Sequence, residues 1–461
     1  MTRPPEPADW TLAQTIAHMR GGHTTASAYR EALAARTREY AHLNAYLHEA
    51  LHAPVAESRR NGLLSGVLLA VKDNIDVAGV PTTAGTPALR EHFPSRSSTA
   101  WARCARLGAS LAGKTALHEL AYGTTGHHAL GPPALNPSAP DHLAGGSSSG
   151  TAAAVTASLV PAGLGTDTGG SVRIPAALCG IVGFRPTLGR YPADGVVRVS
   201  TSRDTVGVMA RNVLDVRLLD WVLSGPQTTS TTTPFPRAPK AVLLDSLWED
   251  LDPQVEWVCR TACERLRAAG WELVERTLPG FSWHDVLRNA TLVPARETRH
   301  ALADYLARHP SAPEADQVLR AVSGEDVREH TLPLLGGGGP DWTAYEEALY
   351  RARLLKDRLS ALRNREGAHV LLAPTTTQPA PGKDVHATLN RPSGKTSTFL
   401  TYIRNTAVAA VTGSPSITLP AGRTSAGLPV GLLLDAAPGA DSALLAVAER
   451  AAPLLSEQEE A

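Results

Sequence analysis

Two glycine-rich turns, each ending in or containing serine, bracket a short alanine-rich segment near the middle of the chain. The first runs over residues 145–150 as Gly-Gly-Ser-Ser-Ser-Gly, and the second over 165–171 as Gly-Thr-Asp-Thr-Gly-Gly-Ser. Small residues between them predict a helix over 151–160 that packs closely on a sheet. Glycine permits positive φ and lets a ligand approach main-chain N–H groups. Such turns can hold a serine hydroxyl beside an oxyanion hole, which acyl transfer requires.

Apolar runs of strand length alternate with helical patterns along the rest of the chain. Strands are predicted at residues 63–71, 110–114, 240–245, 271–278, 370–374, 416–420 and 431–435. This alternation predicts an α/β fold in which helices cover both faces of a sheet. We expect residues 1–461 to form a single domain, with the Thr/Pro-rich stretch at 225–239 as a surface loop. Residues 136–142 contain two prolines and are predicted to form a loop.

The composition argues against several classes of protein. Lys and Arg together number 44, as do Asp and Glu, so a broad nucleic-acid surface is not expected. The sequence has neither the apolar core of a signal peptide nor a run of the roughly 18 to 20 apolar residues that cross a membrane. Its four cysteines form no CxxC pair and no zinc pattern. We therefore expect a cytoplasmic protein with reduced thiols, no metal, no cofactor and no membrane or nucleic-acid partner.

Residues 108–115 read Gly-Ala-Ser-Leu-Ala-Gly-Lys-Thr and match the phosphate-loop pattern letter for letter. A phosphate loop needs a strand before it and a helix that begins at the lysine. Here residues 99–107 predict a helix and the motif itself predicts a strand. We therefore expect Lys114 not to bind a nucleotide.

Residues 146–150 also match the nucleophile elbow G-x-S-x-G, with Ser148 at the centre. That elbow follows an apolar strand, whereas the preceding residues here predict a loop. A Ser-His-Asp hydrolase is therefore the less favoured interpretation.

A third arrangement joins the serines to a lysine. Serine is a weak nucleophile without a base, and lysine can serve if its pKa is lowered from about 10.4 by burial or a nearby cation. Lys72 ends the apolar run Leu68–Val71, which favours burial. The spacing alone leaves a surface lysine equally possible.

Taken together, these motifs resemble the amidase signature family. Ser147 and Ser171 stand 24 residues apart, as the two family serines do (171 − 147 = 24), and Ala70–Asn74 resembles the strand of the family's catalytic lysine. The resemblance extends over nearly the whole chain and implies the family's fold, a large mixed β-sheet covered on both faces by α-helices. It also implies that Ser171 is the nucleophile, Ser147 the bridging serine held by a cis peptide, and Lys72 the general base.

The resemblance further implies where the substrate is held. The oxyanion hole would be formed by main-chain N–H groups of Thr168, Gly169, Gly170 and Ser171. The substrate pocket would lie over the serine turns. The other residues expected to bind or border the substrate are Ser148, Tyr122, Gly123 and Thr124. We expect Asp167 and Arg173 to form an ion pair that fixes the second turn, and the helices over 283–305 and the glycines at 336–339 to cover the pocket.

Segments around residues 183–207, 398–406 and 427–432 are similar to indoleacetamide and mandelamide hydrolases. This similarity implies hydrolysis of a small carboxylic amide to carboxylate and ammonia through a seryl acyl-enzyme. The same triad serves the A subunit of tRNA-dependent amidotransferases, which releases ammonia from glutamine or asparagine and needs partner subunits. Zero net charge argues mildly against that alternative, and the filled catalytic positions argue against an idle scaffold subunit. A homodimer is one possible assembly.

Overall fold

The computed structural model describes residues 6–51, 62–225, 239–391 and 394–455. Its α-helices are α1 (Leu12–Arg20), α2 (Ala26–Glu39), α3 (Thr99–Arg106), α4 (Ser149–Thr156), α5 (Arg173–Cys179), α6 (Val213–Ser224), α7 (Pro253–Ala268), α8 (Trp283–Leu306), α9 (Ala315–Arg320), α10 (Glu325–Thr331), α11 (Trp342–Glu366), α12 (Thr398–Ile403), α13 (Ala407–Thr412) and α14 (Asp441–Leu455). Most of the Thr/Pro-rich stretch predicted as a surface loop lies outside the described residues.

The strands form one large sheet and two small hairpins. They are β1 (Tyr46–Glu49), β2 (Leu68–Lys72), β3 (Ser110–Thr115), β4 (Leu135–Asn136), β5 (Ala139–Leu143), β6 (Ala162–Asp167), β7 (Val182–Arg185), β8 (Thr205–Ala210), β9 (Lys240–Leu244), β10 (Glu272–Arg276), β11 (Val370–Pro374), β12 (Thr388–Arg391), β13 (Gly394–Ser397), β14 (Ser416–Arg423) and β15 (Pro429–Asp435). The large sheet has 11 strands in the order β1-β3-β2-β6-β8-β7-β14-β15-β11-β9-β10. It is mixed, because β3, β2 and β6 run parallel while β6, β8, β7, β14, β15 and β11 alternate in direction.

Apolar side chains project from both faces of this sheet. In β2, Leu69 and Val71 belong to the core that includes residues of α3, α6, α7 and α14, whereas Leu68 and Ala70 belong to the core with residues of α2, α4 and α5. Because successive strand residues point to opposite faces, a strand covered on both sides is apolar throughout. The expected large mixed sheet with helices on both faces is confirmed.

The helix α4 packs unusually close to the sheet because its residues are small. A Cβ atom at Gly150 would lie 2.2 Å from the carbonyl oxygen of Ala45 and 2.5 Å from the main-chain nitrogen of Ala116. At Gly163 in β6, a Cβ atom would lie 2.7 Å from the Thr151 methyl carbon. Glycine at these two positions therefore lets helix and strands approach to backbone contact.

Two local predictions were wrong. The second glycine-rich segment is not a turn throughout, since β6 continues to Asp167 and the turn begins only at Thr168. Residues 136–142 are not a simple loop, since β4 and β5 pair there as a short hairpin. Pro140 is tolerated because this hairpin lies outside the large sheet, where one missing N–H donor is not costly.

Candidate active site

Lys72 is the last residue of β2 and is fully buried. Its Nζ atom lies 2.7 Å from Ser147 Oγ and 2.8 Å from Thr166 Oγ1. Asn74 also donates through its side-chain amide to Thr166 Oγ1, at 3.1 Å. The strands β2 and β6 are parallel neighbours, so their carboxyl ends bring Lys72 and Thr166 to one edge of the sheet. Thr166 and Asn74 thus hold the lysine, although the sequence motifs gave neither a role.

The surroundings of Lys72 favour its neutral form. Burial lowers the pKa of Lys72 from about 10.5 to about 7, because the ammonium loses its hydration, although the negative charges of Asp204 and Asp167 oppose this change. An amine with a pKa near neutrality can accept a proton from a hydroxyl group in hydrogen-bond contact. The arrangement of Lys72 and Ser147 is therefore competent for general-base chemistry.

Ser147 lies in the turn that precedes α4, and the Gly146–Ser147 peptide bond is cis. Its carbonyl oxygen accepts a hydrogen bond of 3.0 Å from the His118 N–H. The next residue, Ser148, donates its N–H to the carbonyl oxygen of Ser171 at 3.1 Å. The main chains of the two serine-bearing turns are thus joined directly, which brings Ser147 and Ser171 into one site.

Ser148 itself is turned away from the site. Its side chain is fully buried, and its hydroxyl donates to the Thr166 carbonyl oxygen at 3.3 Å. It is not among the residues that line the cavities next to Ser171. This placement corrects the expectation that Ser148 borders the substrate. The match to a nucleophile elbow is likewise misleading, because the serine at its centre is not exposed.

The turn that carries Ser171 is held at each of its preceding residues. The Thr168 hydroxyl donates to Asp204 at 2.6 Å, and the Gly169 carbonyl oxygen accepts from Thr406 Oγ1 at 2.7 Å. Gly170 has a φ of 144°, and a Cβ atom there would lie 2.2 Å from Thr406 Oγ1. Only glycine fits this position, so the turn can present consecutive main-chain N–H groups beside Ser171.

Asp167 fixes the same turn through buried ion pairs and a hydrogen bond to the main chain. Burial alone would raise the pKa of its carboxyl group, but the guanidinium groups of Arg173 and Arg185 hold that pKa well below its usual range. Arg173 donates to Asp167 at 2.9 and 3.0 Å, Arg185 at 2.9 Å, and the Val172 N–H at 3.1 Å. The expected ion pair of Asp167 and Arg173 is confirmed, and its full burial is that of a fixed support.

Asp204 is a second buried carboxyl group at this site that the sequence motifs did not reveal. Besides the Thr168 hydroxyl, it accepts the Val199 N–H at 2.8 Å. Burial raises the pKa of Asp204 to about 6, although these hydrogen bonds oppose the change. The short motif Ser-Arg-Asp-Thr at 202–205 was a usable signal, but only the fold shows that its aspartate faces Thr168.

A cavity of about 530 Å³ opens in front of Ser171, which is 8% exposed. It is lined by Ala121, Tyr122, Thr168, Gly169, Ser171, Val199, Ala290, Thr291, Pro294, Ala295, His330, Phe399 and Ile403. The predicted cover over 283–305 is confirmed, because four of these residues belong to α8. The glycines at 336–339 are not among the lining residues. A larger surface cleft of about 710 Å³ lies between residues 280–289 and α11, away from Lys72 and both serines.

The remaining predicted residues, Gly123 and Thr124, line a smaller chamber of about 360 Å³. This chamber shares Tyr122, His330 and Phe399 with the cavity in front of Ser171, so the two adjoin. The sequence therefore located one side of both spaces, the segment 122–124. It did not locate the other side, which comes from α10 and α12.

Lys114 has no ammonium group available for a phosphate. It lies on β3, the strand next to the edge strand β1, and is fully buried, with Nζ 2.9 Å from Asp73 Oδ1. It also donates to the Pro81 carbonyl oxygen at 2.8 Å and to Thr82 Oγ1 at 3.0 Å. The predicted strand over the phosphate-loop motif is confirmed.

Across residues 6–51, 62–225, 239–391 and 394–455, no group of three or more His, Cys, Asp or Glu side chains could hold a metal ion. All four cysteines, Cys104, Cys179, Cys259 and Cys263, are buried free thiols. None of the helices within those ranges is long and apolar enough to cross a membrane.

Comparisons with known proteins agree with this geometry. The model of the family described as Amidase matches residues 24–445. Mandelamide hydrolase of Pseudomonas putida is 35% identical over 467 residues, covering 95% of this chain and 90% of the relative, and an indoleacetamide hydrolase of Agrobacterium vitis is 34% identical over 450 residues, covering 95% of each. The solved structure of native peptide amidase from Stenotrophomonas maltophilia has a TM-score of 0.83 and 27% identity, covering 98% of each chain. The chain belongs to the amidase signature family and is a hydrolase of amide C–N bonds.

Proposed function

We propose that the protein hydrolyses small primary arylacetamides to the carboxylate and ammonia through an acyl-enzyme on Ser171. The single observation that carries this proposal is the buried contact of 2.7 Å between Lys72 Nζ and Ser147 Oγ, next to the cavity that holds Ser171. A buried lysine with a lowered pKa, in hydrogen-bond contact with a serine hydroxyl, supplies the components of a proton relay.

In the proposed mechanism, neutral Lys72 takes the proton of Ser147 as Ser147 takes the proton of Ser171. The Ser171 Oγ atom then bonds to the amide carbon, and N–H groups of residues 168–171 stabilise the developing oxyanion. The proton returns through Ser147 to the leaving nitrogen, the C–N bond breaks, and ammonia departs. Water repeats the sequence on the ester and regenerates Ser171. Among the described residues no hydrogen bond joins the two serine hydroxyls, so rotation of the Ser171 side chain completes the relay on substrate binding.

The lining of the cavity supports an uncharged aromatic acyl group. Tyr122 and Phe399 contribute rings, and alanine, valine, proline and isoleucine supply most of the remaining wall. None of the lining residues is Lys, Arg, Asp or Glu. A glutamine or asparagine substrate brings both an ammonium and a carboxylate, and burying these charges without counter-charges is unfavourable. The names of the relatives, mandelamide hydrolase and indoleacetamide hydrolase, support the same substrate class.

The test is ammonia release by the purified chain from indoleacetamide, mandelamide, phenylacetamide, short aliphatic amides, glutamine and asparagine. We expect the arylacetamides to have the highest kcat/KM, and Lys72→Ala to lower it by about 10²- to 10⁴-fold, the usual contribution of a general base. Lys240→Ala is the matched control, because Lys240 lies on β9 and pairs with Glu272 far from the serines. Full activity of Lys72→Ala, or release from glutamine alone and only with added partner subunits, would contradict the proposal.

The acyl-enzyme has its own test. With hydroxylamine present, an arylacetyl-Ser171 ester partitions between water and the added nucleophile. The ratio of hydroxamate to carboxylate should therefore be the same whether the acyl group arrives as phenylacetamide or as a phenylacetyl ester. Ratios that depend on the leaving group would show that no common intermediate forms.

A further inference from the structure

The mechanism proposed for a primary amide places no part of the substrate in the chamber lined by Gly123 and Thr124. Its wall consists of Tyr122, Gly123, Thr124, Thr125, Asp326, Glu329, His330, His386, Ala387, Ser397, Thr398 and Phe399. Its volume is about 360 Å³, and it adjoins the cavity in front of Ser171 through Tyr122, His330 and Phe399. Because the chamber adjoins the cavity in front of Ser171, a further part of the substrate could enter it from there.

The chamber lies on the side of Ser147, the relay serine. A Cβ atom at Gly146 would lie 3.1 Å from the Thr124 carbonyl carbon and 3.4 Å from the Gly123 oxygen, so the chamber wall packs directly on the Ser147 turn. The cavity in front of Ser171, by contrast, contains Thr168 and Gly169 and not Gly123 or Thr124. In the proposed mechanism Ser147 returns the proton to the leaving nitrogen. With that mechanism we expect the leaving group to face this chamber and the acyl group to face the cavity in front of Ser171.

Two hydroxyl groups in the chamber wall have no partner within the described part of the protein. Thr124 is 3% exposed and Thr398 is 1% exposed, and neither Oγ1 atom makes a hydrogen bond there. A buried hydroxyl without a partner costs free energy relative to one that is hydrogen-bonded. Because both residues line the chamber, rotation of either side chain would bring its hydroxyl group to a polar ligand bound there.

The chamber also carries negative charge. Asp326 and Glu329 both belong to α10, and no lysine or arginine is among the lining residues. His118 Nε2 lies 3.2 Å from Asp326 Oδ2, and its Nδ1 accepts the Gly126 N–H at 3.1 Å. Burial opposes ionisation of Asp326, but the contact with His118 lowers its pKa to about 2, so it is a carboxylate at neutral pH. A cationic group therefore suits the chamber better than a neutral or anionic one.

We propose that this chamber is a leaving-group subsite, which admits amides whose nitrogen carries a short substituent ending in a protonated amine. The inference rests on the proposed function, since it uses the same nucleophile and relay. With an N-(2-aminoethyl) amide, Ser171 Oγ bonds to the carbonyl carbon and the C–N bond breaks. The departing nitrogen takes the Ser171 proton through Ser147, so 1,2-diaminoethane leaves, and water then releases the carboxylate.

The experiment compares three substrates with one acyl group: phenylacetamide, N-(2-aminoethyl)phenylacetamide and its neutral isostere N-propylphenylacetamide. The measured quantity is kcat/KM for phenylacetate release by the full chain. We expect the aminoethyl amide to exceed the propyl amide by about tenfold, the contribution of one or two hydrogen bonds together with a partly exposed ion pair.

Two variants locate that preference. Thr398→Val keeps the shape of the side chain and removes one unpartnered hydroxyl, so the ratio of the two N-substituted amides should fall by about two- to tenfold. Glu329→Gln changes an exposed side chain, so this variant should fold as the wild type does, and it should also lower the ratio. Glu325→Gln is the matched control, because Glu325 is an exposed acid on the same helix that does not line the chamber. It should leave the ratio as in the wild type.

The outcomes separate the two proposals. Hydrolysis of phenylacetamide without measurable preference for the aminoethyl over the propyl amide overturns the leaving-group subsite alone. A preference that Thr398→Val and Glu329→Gln both leave intact also overturns it, since the discrimination then arises elsewhere. If the enzyme hydrolyses neither phenylacetamide nor any other arylacetamide, the proposed function is overturned and the subsite with it.

Discussion

The protonation of Lys72 gives the sharpest test of the proposed relay. If neutral Lys72 is the base, kcat/KM must rise with pH and level off above the pKa of that lysine, because the charged form cannot accept a proton. Burial lowers this pKa from about 10.5 to about 7. The activity should therefore increase from acid to neutral pH with an inflection near 7, and stay high on the alkaline side.

The size of the effect follows from the same values. At pH 7 about half of the enzyme carries neutral Lys72, whereas a lysine with an unperturbed pKa would be neutral in only about one molecule in 3,000. Two pH units below the inflection, about 1% of the base form remains, so kcat/KM at pH 5 should be about 1% of its plateau. The assay is phenylacetate release at low substrate concentration in buffers of constant ionic strength from pH 5 to 9.5.

A substitution at Asp204 tests the electrostatic cause. The negative charge of Asp204 opposes the lowering of the Lys72 pKa, so Asp204→Asn should move the inflection to lower pH, whatever it does to the plateau. Asp215→Asn is the control, because Asp215 is a buried carboxyl group that accepts the N–H groups of Leu12 and Ala13 far from the site. A profile that is flat from pH 5 to 9, or that peaks near pH 5, would refute the role of Lys72.

Three further predictions follow from single contacts. Ser171→Ala should lower kcat by about 10⁴- to 10⁶-fold, whereas Ser147→Ala should leave measurable activity. Equal activity of Ser171→Ala and the wild type would contradict the acyl-enzyme mechanism. Gly170→Ala should lower kcat by about 10²- to 10³-fold by displacing the oxyanion turn, whereas Gly189→Ala, also at positive φ but in open space, should keep kcat. Lys114→Met should lower the free energy of unfolding in urea by about 3–5 kcal/mol, since it leaves the Asp73 charge buried and unpaired. A loss below about 1 kcal/mol, as expected at an exposed pair, would contradict a structural role for Lys114. Calorimetry should detect no ATP binding to the wild type.

Each of the residues proposed to react has a local signal in the sequence, but the resemblance to the amidase signature family is needed to choose them among the other serines and lysines. Lys72 ends an apolar run, which predicts a buried strand with a polar residue at its end, and β2 ends at that residue. Ser147 and Ser171 follow glycines whose conformational freedom a tight turn uses. The structure adds that β2 and β6 lie side by side, which brings Lys72 to the turns that carry the two serines.

The same glycine signal misled the prediction of β6. Residues 162–167 contain two glycines and lack the β-branched pattern of most strands, so they resembled a turn. In the structure those glycines make room for neighbours: a Cβ atom at Gly165 would lie 2.8 Å from Ser148 Oγ. Glycine in a strand often marks a close approach of another segment, and sequence alone does not distinguish that use from a turn.

The walls of the two substrate spaces could not be assembled from sequence for a different reason. Apart from the predicted cover over 283–305, they include α10 and α12, which are more than 100 residues from the serines and whose sequence patterns show only that one face of each is buried. Asp204 connects the cavity wall to the turn that precedes Ser171, because it accepts hydrogen bonds from both the Thr168 hydroxyl and the N–H of Val199, which lines the cavity in front of Ser171. A change in the cavity wall near Val199 can therefore reach the oxyanion turn through Asp204. The helix α10 reaches the Ser147 turn instead, because Asp326 contacts His118, whose N–H donates to the Ser147 carbonyl oxygen. A substitution of an exposed α10 residue such as Glu329 should accordingly alter which amides are accepted, while kcat for a given arylacetamide is less affected than by substitutions around Val199.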